Sequence, residues 1–137
     1  MTRMDDSMDG SGSRQKPTNS EIEILQVIWQ RGPSTVRDVH DELAKGREIG
    51  YTTALKLMQI MVEKNLLVRE EQGRAHVYRP AEAKESARRN LVGDLMDKAF
   101  GGSARELVMH ALTAKRATPD ELAEIRHLID QLEADSV

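Results

Sequence analysis

Two β-prone runs, Leu66-Leu67-Val68-Arg69-Glu70-Glu71 and Ala75-His76-Val77-Tyr78-Arg79, flank Gln72-Gly73-Arg74 in a chain whose apolar residues otherwise recur at helical spacing. A glycine-containing turn between two such runs reads as a β-hairpin. Pro80 has no N–H to give to a ladder and ends the second strand. One hairpin among helices sets the fold class: mostly α with a small β-hairpin. Aromatic residues are scarce, at one Trp, one Phe and two Tyr, so the core is expected from Leu, Ile, Val, Met and Ala. That mixture favours helices over a large sheet.

Three helical segments precede the hairpin. The first opens at Thr18-Asn19-Ser20-Glu21, which has the form of a capping box, and carries Ile22, Leu25, Ile28 and Trp29 on one face. Gly32-Pro33 stops it. Ser34 is expected to cap the second helix, whose apolar positions are Val36, Val39, Leu43 and Ala44. The third runs from about Tyr51 to Lys64. Its broad apolar face holds Ala54, Leu55, Leu57, Met58, Met61 and Val62, and it leaves a narrow polar stripe of Thr52, Lys56, Gln59 and Glu63. Two short helices with a tight connection, a third helix and a hairpin make a winged helix-turn-helix at residues 18–80.

Helical spacing returns after Glu82. Leu91, Leu95, Met96 and Phe100 mark one helix, ended by Gly101-Gly102. Ser103 caps another with Leu107, Val108, Ala111 and Leu112. Thr118-Pro119-Asp120-Glu121 starts the last, which carries Leu122, Ile125, Leu128, Ile129 and Leu132. Residues 81–137 read as a helical dimerisation domain, with Leu91, Leu95, Leu107, Leu122, Ile125, Ile129 and Leu132 as its contact set. Padding of the winged-helix core is the plainer reading of these helices. Residues 1–17 are rich in Asp, Ser and Gly and read as a disordered tail.

The formal net charge is −3 and its distribution matters more than its total. Residues 18–80 hold nine basic and nine acidic groups, and residues 81–137 hold eight and eleven. Within residues 50–80 the balance is locally basic, with Lys56, Lys64, Arg69, Arg74 and Arg79 against Glu63, Glu70 and Glu71. The stripe on the third helix would pass alone for a solvated face. Beside a basic hairpin it reads as a DNA-reading surface. Gln pairs with adenine edges, Thr reaches a thymine methyl or a hydrogen-bonding edge, and Lys serves guanine or phosphate. Tyr51 and Thr53 stand at the start of that helix, within reach of phosphate or a base edge. Ser34 and Thr35 stand where the second helix offers free amides to an anion. Arg74, His76 and Arg79 place the hairpin against the backbone or minor groove.

Other chemistries lack their residues. No cysteine is present, which removes disulfides and thiolate sites and fits a reducing compartment. His40, His76, His110 and His127 lack ligand spacing, so no metal is expected. No phosphate loop, catalytic triad or paired-carboxylate pattern appears, so neither an enzyme nor a cofactor is expected. No apolar run approaches a membrane span and no signal segment opens the chain. A cytoplasmic protein without membrane insertion is therefore expected. The alternative to a DNA reader is a protein-interaction module on a winged-helix scaffold, kept open by the near-neutral charge of residues 18–80.

Several runs together resemble the penicillinase-repressor family (BlaI/MecI/CopY). They are Ser20-Glu21 with Trp29, Gly32-Pro33-Ser34-Thr35-Val36-Arg37-Asp38-Val39, Tyr51-Thr52-Thr53-Ala54, Lys64-Asn65-Leu66-Leu67 and Gly73-Arg74-Ala75-His76-Val77-Tyr78-Arg79-Pro80. The resemblance covers about Lys16 to the C-terminus. It implies an N-terminal winged helix, a C-terminal helical dimerisation domain and repression by a homodimer seated on a palindromic operator in double-stranded DNA. It also implies that the third helix is the reader, through Thr52, Thr53, Lys56 and Gln59. Three departures stand out. Ile60 occupies a position where family members often carry Arg. The C-terminal cysteine motif of the copper-responsive branch is absent. The Asn-Phe bond cut in the antibiotic-resistance repressors is replaced by His110-Ala111. Cleavage there by a membrane metalloprotease sensor stays open.

Overall fold

The computed structural model describes residues 15–136. The reading of residues 1–17 as a disordered tail falls almost wholly outside them. The elements run α1 (Asn19–Arg31), α2 (Val36–Ala44), α3 (Tyr51–Glu63), β1 (Leu67–Gln72), β2 (Ala75–Pro80), α4 (Lys84–Ala99), α5 (Ala104–Ala114) and α6 (Pro119–Asp135). This is the mostly helical, single-hairpin fold expected from the sequence.

Local chemistry sets the helix starts. Thr18 caps α1, with the Glu21 amide donating to its hydroxyl at 3.2 Å and the Thr18 amide donating to Glu21 Oε1 at 2.9 Å. The same reciprocal pair forms at Thr118 and Glu121 at the head of α6. Ser103 accepts from the Glu106 amide at the head of α5. Each satisfies donors that the first helical turn leaves orphaned. At the other end of α4, Gly101 and Gly102 both take positive φ, and the Gly102 N–H reaches back to the Met96 carbonyl at 3.0 Å.

Ser34 does not cap α2. Thr35 does, in a capping box with Asp38. The reason lies elsewhere in the chain. Ser34 is 1% exposed and forms an isolated antiparallel bridge with Tyr78 of β2. Its amide donates to the Tyr78 carbonyl at 3.0 Å, and the Tyr78 amide donates to the Ser34 carbonyl at 2.8 Å. Its hydroxyl is turned to the Gly32 carbonyl at 2.8 Å. A strand-like residue inserted just before the helix shifts the cap to Thr35.

The hairpin is antiparallel from Leu67↔Pro80 to Gln72↔Ala75. Its two-residue loop has Gly73 first, at φ 63°, the place that type II′ turns reserve for glycine. Leu67, Val77 and Tyr78 are buried while the tip is exposed, so the base of the hairpin closes the core and its end stands clear.

Contacts group the chain into two compact units that divide after Leu91, inside α4. The first holds a continuous core of Ile24, Leu25, Val27, Ile28, Val36, Val39, Ala54, Met58, Met61, Leu66, Leu67 and Tyr78. At about 2 kcal/mol for each fully buried large apolar side chain, this cluster carries the unit's stability. The first turns of α4 are grouped with it, and the Arg88 guanidinium lies 5.6 Å from the ring centroid of Trp29. The second unit, residues 92–136 of the described chain, has no buried residue. Helices α5 and α6 expose Val108, Met109, Leu122, Leu128, Ile129 and Leu132.

Candidate nucleic-acid interface

Helix α3 has two unlike faces. Ala54, Met58 and Met61 are fully buried. Tyr51, Thr52, Thr53, Lys56, Gln59 and Glu63 are all exposed. The helix is thus seated by one side and presents the other along its length. Leu66 follows at once, its amide bonded to the Met61 carbonyl at 2.8 Å, after Asn65 takes the left-handed conformation at φ 63°. A side chain with a short amide tolerates that turn. The hairpin therefore starts directly from the end of the exposed helix. Gln59, Glu63, Arg69 and Tyr78 line one open cleft of about 570 Å³ between α3 and the hairpin.

The turn between α2 and α3 is held by side chains. His40 Nε2 donates to the Ile49 carbonyl at 2.9 Å, and its Nδ1 lies 3.1 Å from Asp41 Oδ1. Arg47 pairs with Glu23 of α1 at 3.1 Å. At the start of α3 the Tyr51 ring meets His40 edge-on at 6.0 Å, and the Arg37 guanidinium sits 5.0 Å from its centroid.

The sites expected from the sequence are not equally available. Ser34, expected at the anion-binding end of α2, is sealed under the hairpin; at 1% exposure it cannot meet a phosphate. Thr35 holds that end instead, its hydroxyl taken by the Asp38 amide at 3.1 Å. Asp38 also caps its own turn, and the Thr35 amide above all, with the Thr35 hydroxyl and Arg31, holds its carboxyl below the usual aspartate range against the opposing effect of burial. In the hairpin, Arg74, His76 and Arg79 are exposed. Arg79 is paired with Glu70 at 3.1 Å and His76 with Glu71 at 3.5 Å. Among the described residues, no carboxylate lies within ion-pair distance of Lys56, Arg69 or Arg74.

Lys64 leaves the basic group counted from the sequence. Its ammonium is 2.7 Å from Glu21 Oε1, with the two side chains 15% and 3% exposed, so its charge is spent inside the fold. Arg37 stands beside the start of α3 in its place, and Arg69, already in that group, lines the cleft between α3 and the hairpin. Arg69 is visible in sequence only as one more charge on a strand. Arg37 carries no local signal, because what marks it is a ring fourteen residues further on. Of the large apolar side chains that are exposed, Tyr51 alone belongs to the winged helix. The exposed face of α3 is polar rather than apolar.

A short turn between two packed helices, a following helix with one bare polar face and a hairpin rising from its end define a winged helix-turn-helix. The family model described as penicillinase repressor matches residues 17–131. The transcriptional regulator BlaI of Mycobacterium tuberculosis is 31% identical over 116 residues, covering 83% of each chain. The penicillinase repressor of Bacillus licheniformis is 19% identical over 114 residues, covering 83% of this chain and 89% of that one. The solution structure of Bacillus licheniformis BlaI, monomeric and in complex with the blaP half-operator, aligns with a TM-score of 0.46 at 24% identity, covering 53% of this chain and 90% of that one. The chain belongs to the penicillinase repressor family, and it is a DNA-binding transcriptional repressor.

Proposed function

We propose that the chain represses as a homodimer bound to a pseudo-palindromic operator, residues 18–80 reading DNA and residues 81–137 pairing the copies. The observation that carries this is the bare face of α3. Among the described residues, Thr52, Thr53, Lys56 and Gln59 have no side-chain hydrogen-bond or ion-pair partner, while Ala54, Met58 and Met61 on the opposite face are fully buried. A helix held this way suits the major groove, where threonine, lysine and glutamine each have a base-edge or phosphate partner. Thr35 flanks it toward the backbone, and Arg74, His76 and Arg79 do so from the wing.

Pairing is supported by the helices after residue 80. Leu95, Leu122, Ile129 and Leu132 are exposed, Leu91, Leu107 and Ile125 are partly exposed, and an open groove of about 610 Å³ floored by Leu112, Ile125 and Leu128 separates α5 from α6. Contiguous apolar surface of this kind marks a partner's seat. A second copy supplies a matching surface by symmetry and sets two α3 helices on successive half-sites. No described helix is long and apolar enough to cross a membrane, which accords with action in the cytoplasm. Release by a membrane metalloprotease sensor would require α5 to open, since His110-Ala111 lies in mid-helix with His110 Nδ1 donating to the Glu106 carbonyl at 2.9 Å.

Binding to the DNA upstream of the chain's own gene, measured by gel shift against random duplex, tests the reading. Lys56→Ala is expected to weaken that binding about tenfold, the loss of roughly 1.4 kcal/mol that one base or phosphate contact carries. Equal affinity for the two duplexes at moderate salt would reject it.

A further inference from the structure

We propose that Arg37 is a clamp for the phosphate backbone of duplex DNA, and that Tyr51 acts by holding its guanidinium rather than by touching DNA. The proposal rests on the DNA-binding reading above and adds a residue outside its contact set.

Arg37 lies in the first turn of α2 and is exposed. Helical geometry offers it Asp41, four residues on, as an ion-pair partner. It does not take it. Asp41 Oδ1 lies against His40 Nδ1 at 3.1 Å, and among the described residues no carboxylate lies within ion-pair distance of Arg37. Asp38, the next residue, is engaged by the Thr35 amide and by Arg31 at 3.4 Å. The guanidinium lies instead on the Tyr51 ring, 5.0 Å from its centroid. His40 meets the same ring from its edge at 6.0 Å and is tied to the Ile49 carbonyl at 2.9 Å. The ring is therefore fixed between α2 and the α2–α3 turn.

This arrangement holds a full positive charge, without an ion-pair partner among the described residues, beside the N-terminal end of α3. In a helix-turn-helix that end meets the bases, and the backbone passes over the preceding helix. A planar guanidinium held on an aromatic face keeps its five donors in a fixed fork, which suits two phosphate oxygens. Stacking also removes part of the rotamer freedom that an exposed arginine would lose on binding. Tyr51, only 41% exposed, spends much of its surface on these contacts.

The test is a salt series for the full-length chain on its upstream DNA and on random duplex. Arg37→Ala is expected to weaken both several-fold and to reduce the slope of log K against log salt by about 0.9, the value of one phosphate contact. Arg37→Lys keeps the slope and loses part of the affinity. Tyr51→Phe keeps the ring and binds as the parent does. Tyr51→Ala weakens binding, and adding it to Arg37→Ala costs nothing more. An unchanged slope in Arg37→Ala overturns the clamp. Tyr51→Phe as weak as Tyr51→Ala overturns the positioning role, because the phenol would then be the contact. A parent protein with no preference for its upstream DNA would instead sink the DNA-binding reading. Both substituted side chains are exposed, and thermal unfolding midpoints check that each variant folds as the parent does.

Discussion

At the scale of single residues, details the sequence only hints at hold the start of α2 in place. Gly32 sits at φ 93° and ψ −171°, a region almost closed to residues with a Cβ. Open space surrounds its missing Cβ, so the obstacle is backbone strain alone. Gly32→Ala is expected to cost about 1–3 kcal/mol in urea unfolding with little change in the slope of the transition. An unchanged midpoint would show that the loop relaxes. Asp38 makes a pH prediction. Its folded pKa is depressed, so its stabilisation is present at neutral pH and fades as pH falls below about 4, once the carboxyl protonates in the folded state. Asp38→Asn should lower stability near pH 7 and flatten the loss below pH 4. Parallel pH curves for the two proteins would contradict this. At 38% side-chain exposure the effect is modest.

Elements show what was legible and why. Capping boxes at Thr18 and Thr118, the serine cap of α5, the Gly101-Gly102 stop and the glycine turn of the hairpin involve residues a few positions apart, so spacing reveals them. The α3 stripe is likewise one helix's own periodicity. What was not legible depends on distant partners. Ser34 and Thr35 are both good caps, and the choice between them is made by Tyr78. Lys64 looks like surface charge until Glu21 is brought beside it. Ile24 and Val27 lie outside the first helical face read in the sequence, yet both are buried, because the helix is covered from several directions. The Glu21–Lys64 pair ties the head of α1 to the end of α3. Glu21→Gln retains the cap but leaves an ammonium 15% exposed without its counter-charge. The expected loss is about 3 kcal/mol, and adding Lys64→Met should recover part of it in denaturant titration. A double variant worse than the single one would refute the pair's role.

For the whole molecule, one unit is closed and the other is not. The winged helix buries a full core, whereas α5 and α6 hold no buried side chain and expose six large apolar ones. The proposed pairing would supply the burial this unit lacks, so melting should depend on concentration. Sedimentation of the parent is expected to give a dimer. Ile129→Lys and Leu132→Lys together should shift it to a monomer, lower the melting temperature of the second unit and abolish cooperative operator binding. A variant that stays dimeric would place the contact on another face.

The bridge between Ser34 and Tyr78 bears on how the chain acquires its shape. These residues stand 44 positions apart, and their two hydrogen bonds join the loop after α1 to the last strand. Such a contact gains nothing until everything between has been brought together, because loop closure must come first. The bridge should therefore form late, and its two amides should exchange with solvent only when the whole winged helix opens. A nascent chain that has not yet delivered Tyr78 would lack the two hydrogen bonds that fix Ser34 just before α2.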